Sequence, residues 1–102
     1  MELLDTHPLL ADRVRLSIMG ALAAADHPID FTTLLGALQV TKGNLSSHLR
    51  KLEDGGLIVV LKEFVERKPR TSYACSQQGK AALQIYLTKV EGLLKQVLRD
   101  GK

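Results

Sequence analysis

Cysteine is nearly absent. Cys75 is the only one, so the chain cannot close an internal disulfide, and no CxC or CxxC pair is available to a metal. The three histidines, His7, His27 and His48, are scattered and lack the paired spacing that metal sites use. No apolar run approaches the ~20 residues that span a bilayer. A signal-peptide start is missing too, because Glu2 and Asp5 stand where a basic n-region belongs. No Gly-rich loop opens a helix to cradle phosphates, since Gly55-Gly56 closes a helix instead. The carboxylates fall on polar faces and form no acid/base pair. These absences exclude a disulfide scaffold and argue against an enzyme, a metal sensor or a membrane partner. The expectation is a cytoplasmic protein with no cofactor and no metal, in which Cys75 acts as a small hydrophobe.

What is present describes an ordinary globular chain. Its 102 residues, 45% hydrophobic and 25% charged, are expected to form one domain over 1–102. The net charge is only +3, but it is unevenly spread. Residues 1–40 carry two cations and five anions, residues 41–73 seven and four, and residues 74–102 five and two. Positive charge therefore begins at residue 41, which suits a polyanionic partner.

Residue 41 also opens the stretch around which the rest is organised, TKGNLSSHLRKLEDGGL. Thr41 can cap a first helical turn, and Gly55-Gly56 can end the helix with a positive φ. Leu45, Leu49 and Leu52 recur at i, i+4 and i+7 and share one side. Gly43, Asn44, Ser47, Arg50 and Lys51 then fall on or near the other side. Ser and Asn are mediocre helix formers, costing up to ~0.7 kcal/mol each against Ala. A helix that only had to be soluble would use Glu, Lys and Gln there. Short hydrogen-bonding groups mixed with cations, with no acid from Lys42 to Arg50, point to a helix that reads something polar and anionic.

The flanking segments complete a pattern. Pro8 suits the first turn of a helix running to about Ala25, apolar on nearly every side and so buried on two. In so small a chain its second side, with Leu9, Leu16 and Met19, is expected to meet another subunit. After the Asp26-His27-Pro28 break come a β-prone Ile29-Asp30-Phe31 and a short helix capped by Thr32 or Thr33, with Leu34, Leu35 and Leu38 inward. Leu57 to Leu61 reads as a strand, Lys62 to Arg70 as a polar tip, and Thr71 to Cys75 as the returning strand. Ser76 can cap a last helix from Gln77 to about Arg99. Its stripe of Leu83, Tyr86, Leu87, Val90, Leu93, Leu94, Val97 and Leu98 outruns what one body can cover. The expected fold class is mainly α (α+β), in the order α-β-α-α-β-wing-β-α. Two helices joined by the brief Gln39-Val40 turn make a helix-turn-helix, and the basic hairpin makes a wing.

Residues from about His7 to Tyr86 resemble the MarR/ArsR-like winged helix-turn-helix transcriptional regulators, in particular a compact bacterial group of little more than the DNA-binding domain. The likeness rests on Arg15 to Met19, Phe31-Thr32-Thr33-Leu34, Leu38 to Leu49, Leu52-Glu53 with Gly56-Leu57, Pro69-Arg70-Thr71 and Gly79-Lys80-Ala81. One departure is Ala74-Cys75-Ser76, where such proteins often carry Leu-Thr. The resemblance implies double-stranded DNA bound by a homodimer, with helix 41–54 in the major groove and wing 62–70 on the flank. Arg50 can pair bidentately with guanine and Asn44 with adenine. Thr41, Ser46 and Ser47 suit phosphate or water-mediated contacts, Lys42 and Lys51 suit phosphates, and Gly43 allows close approach. His48 flanks the apolar stripe, either touching phosphate or partly buried. Arg67, Lys68 and Arg70 supply the wing's charge. The dimer surface expected is Leu9, Leu16 and Met19 with Tyr86, Val90, Leu93, Leu94, Val97 and Leu98, residues 75–102 holding the dimerisation helix. Steric blocking, hence repression, suits a chain this short. The alternative is a winged-helix module that docks on a protein without binding DNA. Nothing in the residues names an effector ligand.

Overall fold

The computed structural model of the chain describes residues 7–100. The expected lead with Leu3 and Leu4, and the Glu2 and Asp5 of the signal-peptide reading, lie outside the described residues. A 3-10 turn, Pro8–Ala11, is followed by α1 (Arg13–Ala24), β1 (Ile29–Asp30), α2 (Phe31–Leu38) and α3 (Lys42–Asp54). Then come β2 (Ile58–Val65), β3 (Lys68–Cys75) and α4 (Gln77–Asp100). The strands form an antiparallel sheet in the order β1-β3-β2, and β2 and β3 project as a hairpin. The expected order of elements is present, mainly helical with a wing.

Three boundaries differ from expectation, each for a local reason. The first helix is interrupted at Asp12, whose extended backbone lets Oδ1 accept the Arg15 N–H at 3.0 Å. Asp12, rather than Pro8, therefore starts α1. The second helix is capped by Asp30 rather than by Thr32 or Thr33, its Oδ1 accepting the Thr33 N–H at 2.7 Å. Third, the strands run through most of the expected tip. Phe64 pairs with Pro69 and Val65 with Lys68, leaving only Glu66 and Arg67 to turn the chain. Both adopt positive φ, 52° and 68°, as a two-residue hairpin turn demands.

The core is where the helical stripes converge. Leu45, Leu49 and Leu52 of α3 are buried with Leu10, Ile18, Leu22, Leu34, Leu57 and Ile58. Helix α1 is indeed covered on two sides, but this chain supplies both. Met19, assigned above to a subunit interface, is fully buried within the chain, and the Cys75 thiol donates to its carbonyl at 3.7 Å. The strand β3 and the start of α4 provide the second cover. Leu9 and Leu16 are half-buried against the same core.

The last helix begins as expected. Ser76 Oγ accepts the Gly79 N–H at 2.9 Å, and a Cβ at Gly79 would run into the Leu57 carbonyl. Twenty-four residues at 1.5 Å each give α4 a length of about 36 Å. Leu83 is buried, Tyr86 and Val90 are half-buried, and Leu87, Leu94, Val97 and Leu98 are more than half exposed. Helix and wing draw the molecule out to 59 × 25 × 24 Å.

Candidate nucleic-acid interface

Helix α3 is held at both ends by its own sequence. Thr41 Oγ1 accepts the Asn44 N–H at 3.1 Å. At the other end Leu57 N–H donates to Leu52 O and Gly56 N–H to Glu53 O, both at 3.0 Å, closing a Schellman motif. Gly56 takes the positive φ this needs, 77°. With three leucines pinned inward, Lys42, Gly43, Asn44, Ser46, Ser47, Arg50 and Lys51 are all exposed, as is Thr41. Among the described residues, Lys42, Arg50, Lys51, Arg67 and Lys68 enter no ion pair or hydrogen bond through their side chains. Their charges are available to a ligand.

His48 is placed differently. Its side chain is only 14% exposed, turned towards α1. Its Nδ1 lies 3.2 Å from the Arg15 guanidinium and 3.9 Å from the Asp12 carboxylate. Arg15 Nε also donates to the Leu9 carbonyl at 2.8 Å. His48 thus props the helix from behind rather than standing on the reading face. The Arg15 N–H holds the Asp12 carboxyl below its ordinary value, helped by His48, 3.9 Å away, and by the nearby charge of Arg15.

The wing lies across a groove from this helix. Ser46 faces Pro69, Arg70, Thr71 and Tyr73 of β3 and the Asp30–Thr32 corner around a volume of about 390 Å³. Arg70 reaches across to Asp30 at 3.4 Å, tying the wing to the start of α2. Hydrogen bonds from Thr33, side chain before backbone, hold Asp30 below the ordinary carboxylate value, and Arg70 adds to this. Arg70 is therefore partly neutralised, unlike Arg67 and Lys68. Of the residues that shape the site, Asp12, Arg15 and Asp30 escaped the sequence reading. The signal for Asp12 and Asp30 was the N-cap preference for Asp, overshadowed by Pro8 and by the Thr32-Thr33 pair. Arg15 acts through Leu9 and His48 and carries no such local signal.

Comparison with known proteins decides the family. The family described as "Winged helix DNA-binding domain" matches residues 14–94. This chain belongs to it. The winged helix is 30% identical to a transcriptional regulator homologue from Pyrococcus horikoshii OT3, covering 95% of this chain and 98% of that one, with a TM-score of 0.83. It is 29% identical over 84 residues to an uncharacterised protein of Methanocaldococcus jannaschii, covering 82% of this chain and 90% of the other. A MarR-family transcriptional regulator from Enterococcus faecalis V583 superposes with a TM-score of 0.75 at 24% identity, covering 91% and 82% of the two chains. That last likeness concerns the fold alone, and it is the MarR-like fold expected above. Among the described residues of this winged helix no three His, Cys, Asp or Glu side chains gather as a metal site. No described helix is long and apolar enough to cross a membrane.

Proposed function

We propose that the protein is a cytoplasmic, sequence-specific regulator of transcription that binds double-stranded DNA as a homodimer and represses by occupying its site. The observation that carries this is the outer face of α3, where Asn44, Ser47 and Arg50 stand exposed on a stretch, Lys42 to Arg50, that holds no acidic residue, beside a cationic wing. In this reading α3 enters the major groove. Arg50 and Asn44 read base edges, while Thr41, Lys42, Ser46, Ser47 and Lys51 hold the backbone and Gly43 admits it closely. Arg67 and Lys68 reach the flank, and Arg70 sets the wing's angle through Asp30. Residues 75–102 bring the second copy, through the α4 stripe beyond Leu83. Two α3 helices then meet half-sites about one DNA turn apart.

Selection of bound sequences from a random duplex pool, followed by a salt titration, tests the proposal. A two-fold symmetric consensus should emerge. Six to ten phosphate contacts should cost about 10³–10⁵ in affinity between about 50 and 200 mM salt. No enrichment and a flat salt response would instead leave a winged-helix module whose outer face docks on a protein.

A further inference from the structure

The wing carries a side chain that its charge does not explain. Phe64 is 77% exposed, the most exposed of the large apolar residues among those described. It lies one pair from the hairpin turn, opposite Pro69. Strand alternation fixes its direction. Val60 packs on the core and Phe64, four residues on, leaves the same face of β2. Its neighbours on that face of β3 are Pro69, Thr71 and Tyr73, three of the four β3 residues that line the groove beneath Ser46 of α3. The fourth is Arg70, whose long side chain reaches round from the other face to Asp30. Phe64 therefore points to the side of the wing shared with the reading helix.

The chemistry of that side is distinctive. Towards its tip it presents Lys62, Phe64, Pro69 and Thr71, without a carboxylate. Glu63 falls on the opposite face, paired across the strands with Arg70. An aromatic and a proline lie between Lys62 on one side and, on the other, a turn in which Glu66 is outnumbered by Arg67 and the adjoining Lys68. Together they match a surface that is anionic at its edges and apolar between them. A second copy of this chain fits poorly, because the wing's own cations would meet themselves. The minor groove fits well: phosphates line its walls, and sugars and base edges form its floor.

We propose that Phe64 reads DNA shape outside the half-site, packing into the flanking minor groove and wedging partly between two stacked base pairs. This rests on the DNA-binding reading above and adds to it a specificity determinant that no hydrogen bond supplies. Apolar wedges unstack and bend DNA at a cost that depends on the step. Pyrimidine–purine steps such as TA and CA are the easiest to open. Phe64 thus selects a flexible step at a fixed distance from the bases under α3, while Lys62 and Arg67 hold the adjacent phosphates.

Parallel selections from one random duplex pool, with the unmodified protein and with Phe64→Ala, test this. The unmodified protein should enrich a pyrimidine–purine step in each flank. Phe64→Ala should keep the same central consensus and lose the flanking preference. On the selected duplex the variant should bind about tenfold more weakly, the scale of a single mismatched base pair. On that duplex trimmed to the central consensus the two proteins should bind alike. Phe64→Trp should retain the preference. Identical flanks and affinities for the unmodified protein and Phe64→Ala would overturn the proposal. So would weakened self-association in light scattering with an unchanged flank, which would make Phe64 a protein contact. Failure of both proteins to enrich any sequence would remove the DNA-binding reading itself. The side chain is exposed, so matching thermal melts should accompany every comparison.

Discussion

Replacing Leu94 and Leu98 together by aspartate should abolish the proposed dimer while leaving each copy folded. Both lie on the apolar stripe of α4, one helical turn apart, with 54% and 63% of their surface exposed. Fully burying a leucine is worth about 1.5–3 kcal/mol, so covering the remaining half adds about 1 kcal/mol per side chain. Over two residues in two copies, the loss is about 4 kcal/mol. At about 1.4 kcal/mol per tenfold, Kd should rise about a thousandfold. The penalty for burying carboxylates comes on top. Sedimentation equilibrium across a wide concentration range reads the change directly. Circular dichroism of the variant should show unaltered helix in the body, because neither leucine supports the core. A protein that is already monomeric at micromolar concentration, or a double variant with an unchanged Kd, would refute the reasoning. The stripe would then belong to some other contact.

Three further outcomes are expected. Arg50→Ala should lower affinity for the selected duplex about ten- to a hundredfold, the worth of one bidentate base contact, while affinity for unrelated duplex changes little; an equal loss on both in a gel-shift titration would make Arg50 a phosphate contact. Gln39→Gly should stabilise the fold by about 1 kcal/mol in urea denaturation, because Gln39 holds the helix-turn-helix corner at φ 54°, where a side chain is strained. Asp12 and Asp30 have lowered values in the folded state, so the stability they lend is full above the ordinary 3.8 and is lost as pH falls through the lowered values. Asp12→Asn with Asp30→Asn keeps the caps but removes the titration, and should flatten the fall of melting temperature below about pH 4.

The parts of this protein that the sequence discloses are those governed by local chemistry. Thr41, the three leucines and Gly56 specify α3 from end to end without outside help, and Ser76 does the same for the start of α4. The misjudged parts depend on tertiary geometry. Met19 looked like an outward residue because α1 is apolar all round, and nothing local says that β3 and α4 fold back to cover it. The wing tip read as a long polar loop because the usual Asn-Gly turn is missing. Glu66 and Arg67 take the left-handed conformation against their preference, at about 1–2 kcal/mol each. His48 was ambiguous because its role is set by Arg15, 33 residues earlier. The candidate site was legible where it consists of exposed polar residues on one helix. Its supports, Asp12, Arg15 and Asp30, were not, since each matters through a partner brought by folding.

Those supports bear on how two reading helices would be spaced. Helix α3 is buttressed from α1 by one guanidinium, which bonds the Leu9 carbonyl and His48 at once, so its tilt against the body is set before DNA arrives. At its far end, the Gly56 carbonyl accepts the Ser76 hydroxyl at 2.6 Å, and Leu57 O accepts the Ser76 N–H at 3.0 Å. The end of the reading helix is therefore bonded directly to the residue that starts α4. Gly79 seals the joint, since its lack of a side chain lets α4 lie against the Leu57 carbonyl. In the proposed dimer the two α4 helices fix the symmetry axis, and these few bonds carry its position to each α3. The separation of the half-sites then depends on the rigid corner at Gly56, Ser76 and Gly79, whereas their sequence depends on the side chains α3 exposes. In the proposed complex, spacing and identity of the bound DNA would thus be set by different residues.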